Sequence, residues 1–149
     1  MDKPLSFPQP VAGLVIRYSY LWRSEHLRGQ EEGVKDRPCA VILVTADNEG
    51  DKIVTVLPIT HTPPQNPALA VEIPHATKCR LGLDDERSWI VLTEANRFVW
   101  PGPDLRFSRS GDTESVAYGL LPSGLFNELK HKLVAAISAN SMRVVPRTD

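Results

Sequence analysis

Apolar positions in the first two thirds of the chain come in short runs cut apart by turn residues, the pattern of strands rather than long helices. Leu14-Val15-Ile16-Arg17-Tyr18, entered through Gly13, predicts a first strand. Cys39-Ala40-Val41-Ile42-Leu43-Val44, begun by Pro38, predicts a second. It is apolar on successive residues, which predicts burial on both faces. Asn48-Glu49-Gly50-Asp51 is a turn signal, and Lys52 to Ile59 resumes as a β-branched strand, so the pair reads as a hairpin. Pro63, Pro64 and Pro67 cannot donate ladder hydrogen bonds and take the chain out of the sheet as an exposed loop.

Beyond that loop, Ala70 to Ile73 predicts a short strand and Pro74 to Arg80 a brief helix stopped by Gly82. After the polar turn Asp84–Arg87, Trp89 to Thr93 predicts a strand. Phe98-Val99-Trp100 continues it past a bend at Ala95-Asn96, and Pro101-Gly102-Pro103 ends it. Arg106 to Ser115 reads as a polar loop. The long helix lies between Pro122 and Asn140, where Leu125, Leu129, Leu133 and Ile137 recur every four residues. Phe126 and Ala136 widen that stripe, and Glu128, Lys130 and Lys132 occupy the other side. Met142 to Asp149 reads as a frayed tail. Short strands with one terminal helix predict a mainly β fold, a small bent sheet or barrel capped by a helix.

Composition narrows the function classes. The 149 residues suit one domain, and with 42% hydrophobic and 23% charged residues they exclude a disordered tail or a disulfide scaffold. A formal net charge of −1 argues against a general basic coat for nucleic acid but leaves room for a local basic groove. Cys39 and Cys79 form no CxxC pair and read as small buried thiols. His26, His61, His75 and His131 fall at no ligand spacing, so neither a metal nor a cofactor is expected. Met1 to Pro10 lacks the apolar segment of a secretory signal, and no run approaches the ~18 apolar residues of a membrane span. The expected location is the cytoplasm.

Candidate chemistry is spread over three loops: Gln30 to Pro38, Leu57 to Thr62, and Thr93 to Arg97. In order and spacing these resemble the PemK/MazF family of toxin-type ribonucleases. Gly13-Leu14-Val15-Ile16 looks like that family's opening strand, and Glu32 through Arg37-Pro38 with Ala40-Val41-Ile42-Leu43 like its central signature. Leu57-Pro58-Ile59-Thr60 is similar to its hydrophobic-Pro-x-Thr segment, and Glu94-Ala95-Asn96-Arg97 lies where the family has an acid followed by polar and basic residues. Residues 12–100 and 122–139 are covered. The resemblance implies an SH3-like barrel, a homodimer, metal-free cleavage of single-stranded RNA, and inhibition by a cognate antitoxin protein. The chain departs from the pattern in having Glu94 for the usual aspartate, Gly33 for a glutamine, and an insertion from Pro101 to Ser115.

Metal-free cleavage needs a base for the 2′-hydroxyl, an acid for the leaving oxygen, and a cation for charge developing at phosphorus. Arg37 is the candidate cation, because a guanidinium is a permanently charged fork for phosphate oxygens. Thr60 is a candidate to hold a phosphate oxygen. His61 is the side-chain type suited to proton transfer near neutrality, and Glu32 or Glu94 could serve as base if desolvated. Lys35, Arg97, Arg23 and Arg28 are candidate RNA contacts, the last two beside Trp22 in an aromatic-basic cluster of the single-strand-binding kind. Each has a plain alternative: an ion pair of Arg37 with Asp36 or Glu32, an ordinary strand threonine, solvated loop charges. At the level of function the alternatives are a non-catalytic barrel that binds a protein target, as gyrase-poisoning toxins do, and a domesticated nucleic-acid-binding domain.

Overall fold

The hairpin at the centre of the fold is set by its turn. Asp47 Oδ1 accepts the backbone N–H groups of Glu49 and Asp51, both at 2.9 Å, and Gly50 takes the left-handed φ of 87° that the reversal requires. The computed structural model describes residues 7–30, 33, 35–108 and 115–147. Within them β2 (Arg37–Ala46) and β3 (Lys52–Thr60) pair antiparallel, with a register shift between Val41 and Leu43 that marks a bulge. β1 (Leu14–Tyr18) adds antiparallel to β2. The far end of β3 pairs with β5 (Trp89–Val91), itself paired with β4 (Ala70–Glu72), while its near end pairs with β6 (Glu94–Val99). β7 (Leu105–Arg106) and β8 (Ala117–Leu120) lie along β1, and β9 (Arg143–Pro146) runs parallel to β6. The result is a mainly β fold: one nine-stranded, largely antiparallel open sheet with a C-terminal helix.

Both faces of the central strands are covered, as successive side chains point to opposite sides. Val15, Ala40 and Leu57 pack with Leu129, Leu133 and Ala136 of the terminal helix, α3 (Ser123–Ser138). Leu14, Ile16, Cys39, Val41, Val56 and Phe98 form the second cluster on the opposite side. Helix α2 (His75–Leu81) ends at Gly82 in the left-handed conformation, where the sequence places its stop.

Several expectations are corrected. Ile137 is 55% exposed rather than part of the helix's buried stripe. A four-residue spacing rotates by ~40° per step on a helix of 3.6 residues per turn, so the fourth member has left the core face. The buried residues Leu129, Leu133 and Ala136 follow the true period. Leu43 is 53% exposed, so β2 is doubly buried only in its first half. Ala95 and Asn96 are not a bend but the middle of β6. Met142 onward is no frayed tail: β9 extends the sheet through Pro146, while residues 148–149 lie outside the described ones. In the expected polar loop Arg106 belongs to β7, and residues 109–114 lie outside the described set. Helix α1 (Arg23–Leu27) and strand β8 have no counterpart in the sequence reading. Among the described residues, no helix is long and apolar enough to cross a membrane.

Candidate functional site

Hairpin register assembles the first part of the site. Cys39 lies opposite Pro58, and continuing that register brings Arg37, at the start of β2, to Thr60 at the end of β3. Arg37, Thr60 and His61 line one cavity of about 740 Å³, together with Lys35, Arg17, Trp22, Lys78 and Asp84. The Arg37 guanidinium lies over the Trp22 ring, 4.9 Å from its centroid, and Nη1 donates to the Ile59 carbonyl at 3.4 Å. Its Nε is buried and has no hydrogen-bond partner. Asp36 does not neutralise it, because that carboxylate faces Arg106 at 3.5 Å and Arg17 at 4.0 Å. Among the described residues no carboxylate forms an ion pair with Arg37. A guanidinium held by its flat face, with N–H groups unspent, is suited to an oxyanion.

His61 stands at the mouth of the loop that follows β3. Its Nε2 lies 2.7 Å from Asp84 Oδ2 and its Nδ1 3.4 Å from Glu86 Oε2. Asp84 Oδ1 in turn accepts from Lys78 Nζ at 2.5 Å. Lys78, only 2% exposed, also donates to Ser88 Oγ at 2.6 Å and to the Glu86 carbonyl. Burial on its own pushes the Asp84 carboxyl up, but the hydrogen bonds from Lys78 and His61 outweigh it and hold the group below the usual carboxylate range. His61, Asp84 and Glu86 offer donor atoms within 4.8 Å of one another. The Lys78 ammonium already occupies one Asp84 oxygen, and a different carboxylate faces each ring nitrogen.

The remaining candidates are dispersed. Glu94 and Arg23 line a second cavity of about 590 Å³, with Thr93, Asn140 and Arg143. Glu94 Oε1 accepts the Arg23 backbone N–H at 2.9 Å and the Tyr20 hydroxyl at 3.1 Å. Burial raises its carboxyl above the usual range against those two hydrogen bonds. Arg97 is exposed on β6, opposite Thr55, and lines neither cavity. Arg28 is exposed just beyond α1 and donates to Gln30 at 3.2 Å. Glu32 lies outside the described residues. Of the nine sequence candidates, then, Arg37, Thr60, His61 and Lys35 come together.

Sequence reading missed the supports. Asp84 and Lys78 had no motif to mark them; their partnership depends on α2 folding back beside the 84–88 turn. The seat of Trp22 is equally non-local. Asn96 is fully buried, its amide oxygen accepting the Leu21 N–H at 2.9 Å and its amide nitrogen donating to the Leu21 carbonyl at 2.8 Å. Arg147 Nη1 donates to the Ser19 carbonyl at 2.7 Å and to Asn96 Oδ1 at 3.1 Å, while its Nη2 pairs with Asp104 at 2.9 Å. The Glu25 carboxylate closes the segment by accepting the Trp22 N–H at 3.0 Å. Gly33 also gains a reason: a Cβ there would lie 2.1 Å from the Tyr20 carbonyl oxygen, so only glycine lets the first loop approach this segment.

The thiols divide. Cys39 is buried, and burial pushes its thiol far up, whereas Cys79 is exposed with Sγ 3.4 Å from His75 Nε2, against the expectation of two buried thiols.

No family model and no curated protein sequence matches the chain.

Proposed function

We propose that the protein is an endoribonuclease of the PemK/MazF toxin type, cutting single-stranded RNA without a metal at the Arg37 cavity. The observation that carries the reading is Arg37 itself: a cation without a carboxylate partner among the described residues, lining one cavity with a hydroxyl and an imidazole. Such a set matches the needs of attack by a ribose 2′-hydroxyl on the adjacent phosphorus.

In this reading Arg37 binds the nonbridging phosphate oxygens and Thr60 donates its hydroxyl to one of them. His61 takes the proton of the 2′-hydroxyl. The new bond from the 2′-oxygen to phosphorus forms as the bond to the 5′-oxygen breaks. That leaving oxygen takes a proton from water, and the resulting hydroxide recovers the one held by His61. The products are a 2′,3′-cyclic phosphate and a 5′-hydroxyl. Lys35 and Arg17, on the cavity wall, extend the positive surface along the strand. Glu94 lines the other cavity, and its contacts suit it to bracing Tyr20 and Arg23.

The finer fold assignment belongs to the same proposal. A bulged central hairpin whose second strand pairs with β6 at one end and β5 at the other is compatible with an SH3-like barrel. The resemblance also supplies the partners: a second copy in a homodimer, and an acidic antitoxin segment that competes with RNA for the basic cavity.

Incubating the purified protein with a long single-stranded RNA in EDTA, and mapping the cut ends, tests the reading. Discrete cuts with cyclic-phosphate ends are expected. Intact RNA under conditions where the folded protein is in excess would reject it.

A further inference from the structure

Asp84 lies between α2 and β5 and lines the same cavity as Arg37, and the chemistry proposed above makes no use of it. Its two carboxylate oxygens are divided: Oδ1 accepts from Lys78 Nζ at 2.5 Å and Oδ2 faces His61 Nε2 at 2.7 Å. Lys78 cannot follow solvent, being 2% exposed and held by Ser88 Oγ at 2.6 Å and the Glu86 carbonyl. The carboxylate is thus fixed from behind by a buried cation. We propose that Asp84, anchored by Lys78, is the positioning residue that sets the tautomer and orientation of His61, giving the cavity a histidine–carboxylate pair for proton transfer.

The argument is one of donors and acceptors. An ionised carboxylate only accepts, so a neutral His61 carries its proton on Nε2 and keeps Nδ1 as its acceptor nitrogen. The opposite tautomer would set a lone pair against Asp84 Oδ2. Glu86 is the other titratable group facing the ring, 3.4 Å from Nδ1; its side chain is 72% exposed, so water competes for that longer contact. When Nδ1 takes a proton from a substrate hydroxyl, Asp84 stabilises the imidazolium that forms, the role a third group plays behind a general base. The surplus charge of Asp84 is already shared with Lys78, which keeps the carboxylate ionised beside the ring.

The role of Asp84 in catalysis rests on the nuclease reading; its hold on the His61 ring does not, and the test separates them. Ring ¹⁵N shifts of His61 are recorded above the histidine titration range for wild type, Asp84→Asn and Asp84→Ala, alongside RNA cleavage and thermal melting. Wild type should show the Nε2–H tautomer. Both variants should show a mixed or reversed tautomer, with kcat reduced at least ~10-fold, a part of the ~10²–10⁴ that general acid–base catalysis contributes, and KM nearly unchanged. A variant that melts earlier yet keeps the Nε2–H tautomer and wild-type kcat would make Asp84 a mere anchor for Lys78 and overturn the proposal. If the tautomer depends on Asp84 but wild type cuts no RNA, the pairing stands and the nuclease reading is what fails.

Discussion

Arg37 rests on Trp22, its guanidinium carbon 4.9 Å from the centre of the indole ring. The contact joins the first residue of a core strand to the residue that caps a helix found only in the folded chain. Stacking of this kind contributes about 0.5–2 kcal/mol and engages the face of the fork, leaving its in-plane N–H groups for hydrogen bonding. Trp22→Leu should therefore lower RNA cleavage by roughly 2–30-fold, the same energy expressed as a rate ratio. Steady-state kinetics on a short RNA checks this, with circular dichroism to show that the fold persists. Unchanged kinetics would mean that Arg37 is positioned by its strand alone.

Asn96 holds the same segment from beneath. Its truncation leaves the buried Leu21 N–H unpaired and removes partners of the Leu21 carbonyl and of Arg147. An unsatisfied buried polar group costs about 1–3 kcal/mol, so Asn96→Ala should lose roughly 2–5 kcal/mol in urea unfolding. A loss confined to a few tenths would show that water replaces the amide.

Gly33→Ala is a steric test. With the added carbon placed 2.1 Å from the Tyr20 carbonyl oxygen, the loop must move away from the segment that carries Trp22. Cleavage should fall several-fold, whereas Gly124→Ala, where the added carbon meets nothing within 4 Å, serves as the comparison and should leave it unchanged.

Glu94 gives stability a pH dependence of defined sign. Burial raises its carboxyl in the folded state, so the folded chain holds the proton to higher pH than the unfolded one. The stabilisation present below the unfolded value of ~4.3 is then lost as pH rises through the folded value. Glu94→Gln keeps an oxygen for Arg23 and Tyr20 but has no charge to bury. Its melting temperature relative to wild type should climb as pH rises through the carboxylate range, then level off. A relative decline over that interval would contradict the burial account.

What could be read from the sequence was local. β1, the central hairpin, α2 with its Gly82 stop and α3 follow from apolar period, turn chemistry and caps within a few residues. Arg37, Thr60 and His61 stood out by side-chain chemistry and loop motif, and the hairpin register of the folded chain is what sets Arg37 near Thr60. Contacts closed over long separations were not. β9 is a strand because β6 offers an edge to it, and Arg147, a charged residue near the chain's end, is buried by Asp104 and Ser19. Asn96 reads as a turn residue until its amide is seen to satisfy the Leu21 backbone. Asp84 looks like a solvated loop acid, and only the buried Lys78 gives it a fixed direction.

The cavity's claim to phosphate chemistry is tested most directly at Arg37, by comparing wild type, Arg37→Lys and Arg37→Ala on one single-stranded RNA in EDTA. Removing a donor that stabilises developing charge typically costs ~10²–10³ in rate, and Arg37→Ala should show a loss of that order with a native circular dichroism spectrum. Arg37→Lys should recover part of it, since a point charge keeps the attraction but lacks the two-pronged contact. Cleavage by Arg37→Ala at a near wild-type rate would contradict the account.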